Sequence, residues 1–230
     1  MAEIDWKEAR RYLGLHRPGG NVDGKDIVMT VKPGDKVDEQ LEDALHSCGA
    51  ELEATARPRA VWRRFPLTVE NGMVTCAGMV IPSAHLARHL KSCGEVYLFA
   101  ATLGAETDRL LRRAAVTQVS RAVILQACAA SLLEAYCDEC CDGLAREVAP
   151  EGLFLRPRFS PGYGDFPITF QRPLLEALEA SKRIGLTATE TMMLTPTKSV
   201  TAVVGLSPTP WCPPTGCAAC GKTDCAFRKG

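Results

Sequence analysis

Residues 158–167, RFSPGYGDFP, gather a guanidinium, a phenol and a carboxylate into ten positions whose backbone is restrained by two prolines and two glycines. Arg158 offers a planar fork that suits a carboxylate. Pro161 stiffens the bend, while Gly162 and Gly164 remove side chains and open backbone N–H and C=O groups to a base or an amino acid. Tyr163 adds an aromatic face that can sit near a sulfonium cation. A second charged group, Glu134, interrupts ACAASLLEAYC and shares a helical stripe with Ala127, Ala130, Cys137 and Cys141. A carboxylate on such a stripe is costly to bury unless a cation meets it. Small neighbours also let a ligand approach the helix closely. Arg for a carboxylate, Glu for an ammonium and open backbone for a base together suit an amino acid attached to a nucleoside. The alternative is a structural turn in which Tyr163 packs and Arg158 pairs with Asp165, with Glu134 tilted to solvent.

The C-terminal WCPPTGCAACGKTDCAFRKG carries Cys212, Cys217, Cys220 and Cys225 in a C-x4-C-x2-C-x4-C pattern. Thiolates so spaced, separated by Gly and Pro, can converge on zinc or an iron–sulfur cluster. The alternative is a frayed tail with free or disulfide-bonded thiols. Cys137, Cys140 and Cys141 fall at i, i+3 and i+4 of a helix, where core packing is the first expectation and redox or metal chemistry the second. Other signals fall short of known motifs. GYGDFP lacks the third glycine of a dinucleotide loop. Asp43 and His46 in DALHSCG are one residue too far apart for a corrinoid-ligating D-x-H-x-x-G. His85 and His89 in HLARH lack the glutamate of H-E-x-x-H, so an exposed helix face is expected there.

These groups sit on a chain of 230 residues in which 27 Lys+Arg balance 27 Asp+Glu. Zero formal charge argues against a nucleic-acid or membrane-surface partner recognised by bulk charge. Eleven cysteines without an apolar leader in MAEIDWKEARRYLG point to a cytoplasmic protein rather than a secreted disulfide scaffold.

DWKEARRYLG predicts a short helix ended by Gly14, DIVMTV a strand, and KVDEQLEDALHSCG a helix closed by Gly49. AVWRRFPLTVENGMVTCAGMVIP predicts a hairpin turning at Asn71-Gly72. Ser83 is an N-cap candidate for AHLARHLKSCG. EVYLFAATLG reads as a buried strand broken by Gly104. Helix follows, and one long helix runs through AVTQVSRAVILQACAASLLEAYCDECC. Thr169 can cap a helix ending near Gly185, and TKSVTAVVGL is a strand. Strands and helices intermix without a βαβ rhythm, which favours α+β. Residues 1–207 are expected to form one domain and 208–230 a Cys-rich tail.

RPRFSPGYGDFP followed by RIGLTATETMMLTPTKSVTAVVGL resembles the activation domain of cobalamin-dependent methionine synthase. The family's Arg-x-x-x-Gly-Tyr is met by Arg158, Gly162 and Tyr163. Leu186-Thr187, MMLTP and Ser199-Val200 follow in the family's order, and LFAATLG and the helix holding Glu134 resemble the preceding section. The resemblance spans about residues 95–207. It implies a mixed, mainly antiparallel twisted sheet with flanking helices, one of them long and central. It also implies S-adenosylmethionine bound by Glu134, Arg158, Pro161, Gly162, Tyr163 and Gly164, and reductive methylation of cob(II)alamin. The chain has no homocysteine, folate or cobalamin module. The cobalamin would therefore belong to a separate corrinoid protein or a methionine synthase lacking its activation domain, with a flavodoxin- or ferredoxin-like electron donor. A non-catalytic S-adenosylmethionine-binding subunit and a zinc-bearing interaction subunit are the alternatives.

Overall fold

The computed structural model describes residues 2–14 and 36–211, with side chains in the second stretch from residue 39 onward. The expected DIVMTV strand and the four tail cysteines lie outside the described residues. Element order is α1 (Trp6–Tyr12), α2 (Lys36–Thr55), β1 (Arg59–Glu70), β2 (Met73–Cys76), β3 (Met79–Pro82), α3 (Ala84–His89), β4 (Glu95–Thr102), α4 (Ala105–Thr117), α5 (Val119–Val148), β5 (Phe154–Leu155), α6 (Gln171–Ala177), α7 (Ala180–Ile184), β6 (Thr187–Ala188), β7 (Leu194–Thr195) and β8 (Ser199–Ser207). The fold is α+β. One sheet of six strands runs β3-β2-β1-β4-β8-β5, with every neighbouring pair antiparallel, and β6-β7 form a separate ribbon.

β4 and β8 are neighbouring interior strands of the sheet, and both faces of each are covered. On β4, Tyr97, Phe99 and Ala101 face a core shared with α1, α2, α4 and α5. Val96, Leu98 and Ala100 face a second core with β2, β3, α3, α6 and α7. This double burial is why EVYLFAATLG reads as a continuous apolar run rather than an alternating one. β1 and β2 turn through Asn71 and Gly72, at φ 49° and 76°, the left-handed pair a tight hairpin needs.

α5, at 30 residues about 45 Å long, lies along the first core. The one long helix expected through residues 115–141 is broken near its start. Gln118, at φ −153° and ψ 89°, separates α4 from α5. Val116, Thr117 and Val119 flank the break, β-branched residues with weak helix preference, and Thr117 Oγ1 donates back to the Arg113 carbonyl at 2.9 Å.

Two further expectations change. Gly49 does not close α2, which continues to Thr55. It is the spot where α1 docks, since a β-carbon there would stand 2.3 Å from the Trp6 ring. Thr169 caps no helix. It lies in a 3-10 turn, Ile168–Phe170, and the helix expected after it is two short ones parted by Glu179 at φ 52°. Gly185 does end the second, at φ 70°.

Candidate functional site

The 158–167 stretch forms a self-closed bend fixed to the sheet. Phe159 exchanges both backbone hydrogen bonds with Val203 of β8, at 3.0 and 2.9 Å. Within the bend Tyr163 N–H donates to the Ser160 carbonyl, Gly162 N–H to Phe166 and Phe166 N–H to Tyr163. Phe166 is buried beneath, stacked against Phe159 at a centroid distance of 6.4 Å and tilted against Phe170 at 6.0 Å. The expected open backbone is therefore only partly open, because the amides of Gly162 and Tyr163 are committed inside the turn. The carbonyls of Pro161 and Gly162 and the N–H of Gly164 make no hydrogen bond to another described residue. Pro161 is buried, and Gly162, Tyr163 and Gly164 are exposed.

Asp165 does not pair with Arg158. Its carboxylate accepts from the Ser83 hydroxyl and from the backbone N–H groups of Ala84 (2.8 Å) and His85 (3.1 Å), the first turn of α3. Ser83 also caps that helix, accepting from Leu86 N–H at 3.0 Å. The Ser83 hydrogen bond, followed by those backbone amides, holds the Asp165 carboxyl below its ordinary range. His89 is not on an exposed face either. Its Nε2 lies 2.8 Å from the Pro157 carbonyl, and its ring packs against Phe159 and Trp211. α3 thus braces the bend from beneath at both ends.

Arg158, only 18% exposed in its side chain, turns the opposite way, onto α5. Nη2 lies 2.7 Å from Glu134 Oε2, Nη1 lies 2.7 Å from Asp138 Oδ1, and Nη1 also reaches Cys141 Sγ at 3.7 Å. The two residues expected to hold the amino-acid end of a ligand therefore meet each other. Burial opposes the Arg158 charge, but its hydrogen-bonded partners, the Asp138 carboxylate among them, outweigh it, so the guanidinium stays charged. Among the described residues its Nε and one Nη2 hydrogen meet no acceptor. Glu134 is half-buried rather than tilted wholly to solvent.

Cys137 belongs to the first core and is fully buried. Burial pushes the thiols of Cys137, Cys140 and Cys141 up, which keeps them protonated. Among the described residues no group of His, Cys, Asp or Glu side chains is arranged to hold a metal ion. No helix among them is long and apolar enough to cross a membrane. A cavity of about 390 Å³ between α6, α7 and β6, lined in part by Arg172, Glu176 and Lys182, shares no residue with the Arg158 cluster.

One member of the cluster and one neighbour of it escaped the sequence. Asp138 lies one helical turn beyond Glu134, a spacing that could have flagged it. Tyr12, at the end of α1, lies within electrostatic reach of both Glu134 and Tyr163, and burial, then Glu134, pushes its phenol up. α1 is held there by Ser131 Oγ, which donates to the Asp5 carbonyl at 2.8 Å.

No family model and no curated protein matches this sequence. Solved structures do. The chain is similar in fold to the MetH reactivation domain. A crystal structure described as that domain bound to AdoHcy superposes with a TM-score of 0.61 at 20% identity, over 89% of this chain and 74% of the other. At that identity the MetH likeness is one of fold, and it agrees with the architecture expected from Arg158-x-x-x-Gly162-Tyr163 and the segments after it. The likeness extends well beyond residues 95–207, because it takes in elements N-terminal to them.

Proposed function

We propose that this chain binds S-adenosylmethionine between α5 and the 158–164 bend, and supports reductive methylation of cob(II)alamin carried by a separate corrinoid protein. The observation that carries the reading is the meeting of Arg158 and Glu134 at 2.7 Å, with Arg158 four residues before Gly162 in the chain. The two groups chosen for opposite ends of a zwitterion already neutralise each other, so a zwitterion can take their places pair for pair. The description of the MetH structure as bound to AdoHcy supports the same ligand class.

In this reading the residues bind and orient. Arg158 takes the ligand carboxylate, Glu134 the ammonium, and the free carbonyls of Pro161 and Gly162 with the Gly164 amide take the base. Tyr163, exposed and edge-on to Phe159 at 6.3 Å, lies along the ligand. An electron from a flavodoxin- or ferredoxin-like donor reduces the substrate cobalt to Co(I). A bond then forms between cobalt and the methyl carbon as the carbon–sulfur bond breaks, and the sulfur leaves with the electron pair as a thioether. No proton moves, so catalysis rests on alignment. The site accordingly lies on an open surface, where a partner can present its corrinoid. The spacing of Cys212, Cys217, Cys220 and Cys225 supports a zinc or iron–sulfur site in the tail, which a visible spectrum and metal analysis of the purified protein distinguish.

The test is calorimetry with S-adenosylmethionine on the unmodified protein and on Arg158→Ala. Loss of the charged partner should weaken binding by about 2–5 kcal/mol. Unchanged affinity overturns the assignment. Formation of methylcobalamin from a cob(II)alamin-loaded partner, a reductant and S-adenosylmethionine tests the reaction, and binding without methylation would favour the non-catalytic subunit.

A further inference from the structure

The Arg158 cluster is not neutral. One guanidinium faces two carboxylates, Glu134 and Asp138, each at 2.7 Å. On α1, Arg11 pairs with Glu8. Burial keeps the neighbouring thiols of Cys137 and Cys141 protonated. Among the described residues the two Arg158 pairs therefore set two carboxylates against one guanidinium, one negative charge in excess. If Arg158 and Glu134 exchange each other for a ligand's carboxylate and ammonium, that excess falls on Asp138.

Resting on the binding proposal above, we infer that Asp138 is a specificity residue which makes the site prefer the cationic methyl donor over its neutral demethylated product. S-adenosylmethionine carries a carboxylate, an ammonium and a sulfonium, one positive charge net. S-adenosylhomocysteine has the same carboxylate and ammonium but a neutral thioether. Arg158 and Glu134 serve both ligands equally and so cannot tell them apart. A surplus carboxylate one helical turn from Glu134 can, through the sulfonium. Product release after methyl transfer is then aided by the same charge, since the departing thioether has lost what Asp138 attracted.

Asp138 is 70% exposed, so its side chain can be changed without disturbing the core, and its attraction is partly screened. The experiment is calorimetry of both ligands on wild type and Asp138→Asn, at low salt and at half-molar salt. At low salt the preference for S-adenosylmethionine should fall about fivefold in the variant, through weaker binding of the cation, with S-adenosylhomocysteine affinity unchanged. The wild-type preference should shrink with salt. An unchanged preference overturns the inference. So does an equal loss for both ligands, which would make Asp138 only a support for the Arg158 side chain. If neither ligand binds the wild type, the binding proposal itself fails and this inference falls with it.

Discussion

Gly164 leaves no room above His85: a β-carbon built on the glycine would stand 2.3 Å from the imidazole Nδ1 and 3.1 Å from Cγ. The bend that carries Arg158 is thus pressed onto α3 where a side chain is missing. Gly164 also sits at φ 56°, which costs an L-residue about 1–2 kcal/mol. Gly164→Ala should therefore lower the melting temperature and weaken ligand binding together. Adding His85→Ala should restore the part due to overlap and leave the backbone part. A double-mutant cycle by thermal denaturation measures the split, and strict additivity would refute the contact.

Asp165 should show itself by pH. Its folded carboxyl titrates below the unfolded value, through the Ser83 hydroxyl and then the α3 amides. A depressed acid contributes stability that is complete above the unfolded pKa, about 4, and disappears as pH falls through the lower folded value. Asp165→Asn should flatten that acid limb. It should also speed hydrogen exchange at the Ala84 and His85 amides, measured by mass spectrometry at neutral pH. Equal exchange in both proteins would mean that the carboxylate does not hold the bend to α3.

His89 acts in a different window. Burial, first among its influences, holds its pKa below 6.5, so the ring is neutral where it meets the Pro157 carbonyl. As pH falls through 6.5 the unfolded chain takes up a proton that the folded chain resists. Stability therefore declines from there until the folded value is passed. Melting curves between pH 5.5 and 7.5 should show this slope in the wild type and lose it in His89→Gln. A slope of opposite sign would mean that the ring is charged in the fold.

The sequence was most legible where one residue type served one local purpose. Ser83 caps α3, Asn71 and Gly72 make a hairpin, and the apolar run of β4 fills both sides of the sheet. It misled where a residue answered a distant neighbour. Gly49 looked like a helix end because its reason, the Trp6 ring, lies over forty residues away. Asp165 looked like a partner for Arg158 because they are close in sequence, but it serves α3, eighty residues earlier. At the site, Arg158 and Glu134 were legible as complementary charges. Tyr12 was not, since only the docking of α1 on α5 brings it near them.

That docking makes the last prediction. Trp6 packs over Gly49, with its ring 4.5 Å from that of His46, and Arg10 of the same helix pairs with Glu42 of α2. Gly49→Ala improves helix propensity by about 1 kcal/mol, yet places a methyl inside the Trp6 ring and should cost about 1–3 kcal/mol in overpacking. If the second effect wins, α1 lifts, and Tyr12 moves away from Glu134 and Tyr163. The variant should then melt earlier and bind S-adenosylmethionine more weakly, although Gly49 is remote from the Arg158 cluster. A Trp6→Ala, Gly49→Ala double variant separates the two causes. With the ring gone, the alanine should stabilise α2 relative to Trp6→Ala alone while ligand affinity stays low. A double variant whose affinity returned to the wild-type value would show that α1 contributes nothing to the site.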